Sequence, residues 1–156
     1  MAGHFFDSSA LVKRYHVEAG TQVVDQIIDD TNNRVRVSRL ATAELISAFA
    51  IKVRTQSIDR KDANLFLGQF RRDVATGSLE IFSIMESEFA AAELLVERYA
   101  FELRLRALDA LQLAVALELR NQKLVDHFVA ADRILCEVAR REGFSVINPD
   151  LKDSES

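Results

Sequence analysis

Five short strand-like runs are separated by segments of helical periodicity, and that alternation restricts the fold more than any other feature. The runs are His4-Phe5-Phe6, Arg34-Val35-Arg36-Val37, Leu79-Glu80-Ile81-Phe82, Phe128-Val129-Ala130 and Ser145-Val146-Ile147. Between them apolar residues recur at helical spacing. The spacing predicts helices from Ser8 to about Tyr15, over Glu18–Asp30, from Arg39 to about Thr55, and over Arg60–Ala75, Glu86–Leu103, Leu108–Arg120 and Asp132–Arg141. Ser38 stands where an N-cap would close the third of these, and Gly143 stops the last. Strands that alternate with helices argue an α/β fold, a parallel sheet with helices on both faces. A pair of helices is inserted between the second and third strands.

The chain has 156 residues, which fits one domain over 1–150 with a short polar tail at 151–156. A domain of this size buries roughly 70% of its unfolded surface, so a core needs no staples. The one cysteine, Cys136, rules out an intrachain disulfide and a cysteine zinc site. Its apolar helical neighbourhood reads as a buried, inert thiol. No basic stretch leads into an apolar run at the N-terminus, and no run approaches the ~18 apolar residues of a membrane span. A cytoplasmic protein with no membrane association is the expectation. The net charge of −4 is not that of a protein held to nucleic acid by bulk positive charge. It leaves a nuclease open, because acids gathered around a metal count toward the total.

Four acids carry the chemistry. Asp7 ends the first apolar run and precedes Ser8 and Ser9, so it is either a helix cap or a group presented beyond the carboxyl end of a strand, where open α/β sheets bind ligands. Asp132 repeats that arrangement after the fourth run. Glu44 has Leu40, Ala41, Ser47 and Ala48 as its helical neighbours. A carboxylate on such a face needs a cation, a donor or a proton. Asp109 opens a helix that is apolar nearly all round, which marks a central element. An acid in a first helical turn also suits the helix dipole. Two acids at strand ends and two on helices can converge on one sheet edge. Carboxylates gathered so are kept by divalent metal, and Mg²⁺ prefers such oxygen ligands. A pair of such ions can hold the attacking and leaving oxygens of a phosphodiester.

Other chemistries find no support. There is no Gly-rich phosphate loop and no Gly-x-Ser-x-Gly elbow. His4, His16 and His127 are scattered and read as structural. A different metal-dependent phosphoryl-transfer domain, a phosphatase or DNA nuclease, stays open at this point. The haloacid-dehalogenase pattern, however, asks for an acid where Ser9 stands. A non-catalytic interaction module of receiver-like α/β type also stays open.

The chain resembles the PIN-domain ribonucleases, and most closely the VapC-type toxins of prokaryotic toxin–antitoxin pairs. The resemblance rests on Phe6-Asp7-Ser8-Ser9-Ala10-Leu11, Ala43-Glu44-Leu45, Leu108-Asp109-Ala110-Leu111-Gln112-Leu113-Ala114 and Ala131-Asp132-Arg133-Ile134-Leu135, with Gly143-Phe144-Ser145-Val146-Ile147-Asn148-Pro149 after them. These pieces keep the family's order and span nearly the whole chain. The resemblance implies a PIN-like three-layer fold, a five-stranded parallel sheet between helices. It implies a Mg²⁺- or Mn²⁺-dependent endoribonuclease whose metal ligands and catalytic residues are Asp7, Glu44, Asp109 and Asp132. Ser9 matches the hydroxyl residue two positions after the first acid. The family often has Ser or Thr two positions before the last acid, and Ala130 stands there in this chain. An RNA substrate, a cognate antitoxin that fills the cleft, and a homodimer are the partners implied. Lys13, Arg14, Arg39 and Arg133 lie near the motifs in sequence and are the candidates to hold RNA.

Overall fold

The computed structural model describes residues 1–151. Residues 152–156, most of the polar tail expected at 151–156, lie outside the described residues. The strands are β1 (Ala2–Phe6), β2 (Asn33–Ser38), β3 (Glu80–Phe82), β4 (His127–Val129) and β5 (Ser145–Ile147). They form one sheet in the order β3-β2-β1-β4-β5, every pair parallel. The helices are α1 (Ser8–Leu11), α2 (Thr21–Asp29), α3 (Ala41–Arg54), α4 (Arg60–Ala75), α5 (Glu86–Tyr99), α6 (Ala107–Asn121) and α7 (Arg133–Arg141).

Strand residues alternate between the two faces, and the core divides accordingly. Phe5 and Phe128 pack with buried residues of α5, α6 and α7. Their neighbours Phe6 and Val129, with Val35 and Val37, pack with residues of α1, α2, α3 and α4. The three-layer α/β architecture expected from the alternation of elements is thus present, with the central strand β1 covered on both sides. Gly3 admits β1 to this position. A Cβ there would collide with the Leu124 carbonyl oxygen, and the Gly3 amide donates to Asp126 Oδ2 at 2.8 Å.

Several boundaries differ from the periodicity; α2, for one, starts at Thr21 and not at Glu18. The helix expected from Ser8 to about Tyr15 is α only to Leu11 and continues as a 3₁₀ turn over Val12–Arg14. The Lys13 carbonyl accepts from Thr21 Oγ1 at 2.7 Å, so that side chain takes an acceptor a longer helix would use. Ser38 does not cap α3. It still pairs with Phe82 in the sheet, and the ladder runs on through a bond from Arg39 N to Phe82 O. The helix therefore starts only at Ala41. The α5 helix ends at Tyr99, before Leu103, where the chain turns to bury Leu105. By contrast, Asp59 and Asp62 form a reciprocal capping box at the start of α4.

Among the described residues no helix is long and apolar enough to cross a membrane. Cys136 is buried, its thiol pushed up to about 11 mainly by desolvation.

Candidate active site

The chain leaves β1 toward β2 on one side, while β4 lies on the other, so the sheet reverses its direction of growth between β1 and β4. Ligands of open parallel sheets bind beyond such a switch point, at the strands' carboxyl ends. Asp7 follows β1 there, and Asp132 closes the loop after β4. A cleft of about 550 Å³ opens at this edge. It is lined by Asp7, Glu44, Asp109 and Asp132, together with Ser8, Ser9 and Arg106. Its rim includes Leu40, Ile51 and Leu108.

Asp7 is a cap and a cleft residue at once. Its amide donates to Val129 O at 2.9 Å, one step past the last β1–β4 pair, and its carbonyl accepts from Ala10 and Leu11 to begin α1. Ser9 donates twice to Asp7 Oδ2, from its amide at 3.2 Å and its hydroxyl at 2.6 Å. No donor among the described residues reaches Oδ1. The same Ser9 hydroxyl accepts from Ala131 N at 3.0 Å and so ties the loop after β1 to the loop after β4.

Burial raises the Asp7 carboxyl to about 7, opposed by the Ser9 hydrogen bonds and reinforced by the charges of Glu44 and Asp109. Asp109 is raised too, first by burial and then by Asp132, while Arg106 pulls it down. The acids therefore feel one another across the cleft.

Glu44 is half-buried, and both of its oxygens have donors. Ser8 Oγ donates to Oε2 at 2.7 Å, and Gln112 Nε2 donates to Oε1 at 2.6 Å. Gln112 is itself fixed, because its Oε1 accepts from Ser38 Oγ at 2.8 Å. A hydrogen-bonded chain thus runs from the end of β2 through α6 to α3 and α1. Asp109, in the first turn of α6, pairs with Arg106 Nε at 3.3 Å. Asp132 N-caps α7, its Oδ1 accepting from Leu135 N at 2.9 Å.

The basic candidates fall elsewhere. Lys13 is buried against Glu18 and Asp150, at 3.1 and 2.8 Å. Arg14 pairs with Asp25 and Asp29 and lies 3.6 Å from Asp73. Arg39 and Arg133 are exposed but do not line the cleft. Four polar residues of the site had no role assigned from the sequence: Ser8, Ser47, Arg106 and Gln112. Gln112 had a visible signal, a glutamine in a helix otherwise apolar nearly all round. Arg106 had a weaker one, its place three residues before Asp109 at the helix entry.

The donor set is all carboxylate oxygen, with no histidine or cysteine in the lining, and so suits Mg²⁺ or Mn²⁺ over zinc. Among the described residues no three histidines, cysteines or acids stand close enough to share one ion. The cleft fits a cation that takes one or two carboxylates and keeps water on its other positions, as Mg²⁺ does.

An acid-lined cleft at the switch point of a parallel α/β sheet defines the class. The particular family follows from comparison: the PIN-domain model matches residues 4–141, and the chain belongs to that family. PIN domains are generally nucleases. Among solved structures, FitAcB from Neisseria gonorrhoeae is 17% identical, covering 94% of this chain and 97% of its own, with a TM-score of 0.63. FitAB bound to the IR36 DNA fragment is 15% identical, covering 98% and 99%, with a TM-score of 0.65. A domain of a functionally unknown protein from Methanocaldococcus jannaschii is 11% identical, covering 100% and 95%, with a TM-score of 0.54. At these identities the likeness is one of fold. No curated protein matches the sequence significantly.

Proposed function

We propose that this protein is a Mg²⁺- or Mn²⁺-dependent endoribonuclease that hydrolyses RNA phosphodiester bonds, and that it is the toxin of a type II toxin–antitoxin pair. The observation that carries the nuclease reading is the gathering of Asp7, Glu44, Asp109 and Asp132 around one cleft at the sheet's switch point. Asp7 and Asp109 would be the central ligands, Glu44 would orient the attacking water, and Asp132 would border the site. A divalent ion held there supplies neutralisation of the acids and activation of water for attack on phosphorus. The protein's own part is positioning. Ser9 fixes the Asp7 carboxylate and joins the two loops that carry Asp7 and Asp132. Ser8 and Gln112 hold Glu44 from both sides. The Leu135 amide holds one oxygen of Asp132 and leaves the other to the cleft.

The toxin assignment, the antitoxin partner and the homodimer rest on the resemblance to VapC-type toxins. A neighbour of the same fold solved on a DNA fragment supports a nucleic-acid setting. It is also the reason to carry DNA as a second substrate. The test is incubation with total RNA, and separately with DNA, in Mg²⁺, Mn²⁺ or EDTA. Cleavage of RNA that needs the metal is the expected result. Cleavage that persists in EDTA, with contaminating ribonuclease excluded, overturns the metal reading, and cleavage of DNA alone overturns the RNA reading. Light scattering at micromolar concentration tests the homodimer.

A further inference from the structure

Building on the metal-dependent reading above, we propose that Arg106 is a substrate-phosphate-binding residue released by the metal. Without a divalent ion it neutralises Asp109, and with one it turns to a phosphate of the bound nucleic acid.

Among the described residues lining the cleft, Arg106 alone is basic, against four acids. A polyanion cannot enter such a cleft unless cations offset the carboxylates. The basic residues nearby in sequence do not serve. Lys13 and Arg14 are held in ion pairs of their own, and Arg39 and Arg133 lie off the lining.

Arg106 holds Asp109 through Nε alone, at 3.3 Å, and its side chain is 71% exposed while that of Asp109 is 14% exposed. A single long bond to a solvated guanidinium is a weak restraint. The terminal amino groups stay available, and a planar guanidinium can present two parallel N–H donors to phosphate oxygens. With a divalent ion bound among the acids, Asp109 would no longer need Arg106 for neutralisation, and the guanidinium would be free to turn outward. A phosphate of the bound nucleic acid would then compete with Asp132 for the guanidinium.

This role moves two quantities in opposite directions, which a plain helix-surface ion pair does not. In Arg106→Ala, KM for RNA should rise about tenfold, the loss of a charge-assisted contact. The Mg²⁺ concentration giving half of the melting-temperature gain should fall roughly threefold, because a competing cation is gone. Arg106→Lys keeps the charge without the fork, so its Mg²⁺ midpoint should stay near that of wild type while KM falls between the other two. Each variant is measured with Mg²⁺ alone by melting and with RNA by kinetics. If Arg106→Ala keeps the wild-type KM, or its Mg²⁺ midpoint does not fall, the inference is overturned while the metal-dependent reading stands. If wild type itself neither melts higher in Mg²⁺ nor cleaves with it, both fall together.

Discussion

Gln112 Nε2 donates to Glu44 Oε1 at 2.6 Å, joining helices that pack on opposite faces of the sheet. Gln112 is 1% exposed, and Ser38 sets its orientation through the opposite end of the amide. A wrongly placed Glu44 would thus be a failure of α6 as much as of α3.

Gln112→Leu is nearly volume-conserving but removes both bonds. It strands the Ser38 hydroxyl and one oxygen of Glu44, and the fold should lose about 1–3 kcal/mol. Cleavage should fall further than the unfolded fraction explains. Urea denaturation and single-turnover cleavage on the same samples check both. Unchanged cleavage by folded protein would leave Gln112 a purely structural residue.

Asp7 predicts a pH dependence with a definite sign. Its native pKa of about 7 lies above the ordinary carboxyl value, so the native state binds that proton more tightly than the unfolded chain does. The metal-free fold should lose stability as pH rises from about 4 to about 7 and level off above that. Asp109, also raised by burial, acts in the same direction. Asp7→Asn should flatten this slope and abolish cleavage while keeping a competent cap, whereas Asp7→Ala should lose about 1 kcal/mol of cap stability. Denaturation in EDTA across that range decides it. A slope that survives in Asp7→Asn would show that another group carries it.

Ser9→Ala tests the tie between the two strand ends. The Ala131 amide would lose its acceptor, at a cost of roughly 1–2 kcal/mol. Asp7 would lose the hydroxyl bond that holds its pKa down. The rising limb of the pH–rate profile should therefore move to higher pH. A profile that stays where the wild type has it would count against Ser9 as the group that tunes Asp7.

Asp132 can be separated into cap and ligand. Asp132→Asn keeps an oxygen for the Leu135 amide, so stability should stay within about 0.5 kcal/mol, while Asp132→Ala should lose about 1 kcal/mol. If Asp132 also serves the metal, both variants should lose cleavage and part of the melting-temperature gain that Mg²⁺ gives wild type. Full activity in Asp132→Asn would reduce Asp132 to a cap.

The sequence by itself determined the alternation of elements, the parallel sheet and the family. These follow from local patterns: period-two and helical spacing, the motif order around the acids, and Gly143 as the stop of α7, which the structure bears out at φ +88°. It also singled out the four acids, because each breaks a local expectation or repeats a strand–acid–helix turn. What tertiary structure decided is which groups surround them. Glu44 looked like a carboxylate in want of a partner, and only the tertiary structure brought Gln112 of α6 and Ser8 of α1 to it as donors. Lys13 and Arg14 sit beside the first motif in sequence, yet they point into ion pairs with α2, α4 and the segment after β5. Sequence proximity fixes which element a charged residue rides on. The facing element, brought in from far along the chain, fixes whether that charge meets solvent, a substrate cleft or another charge.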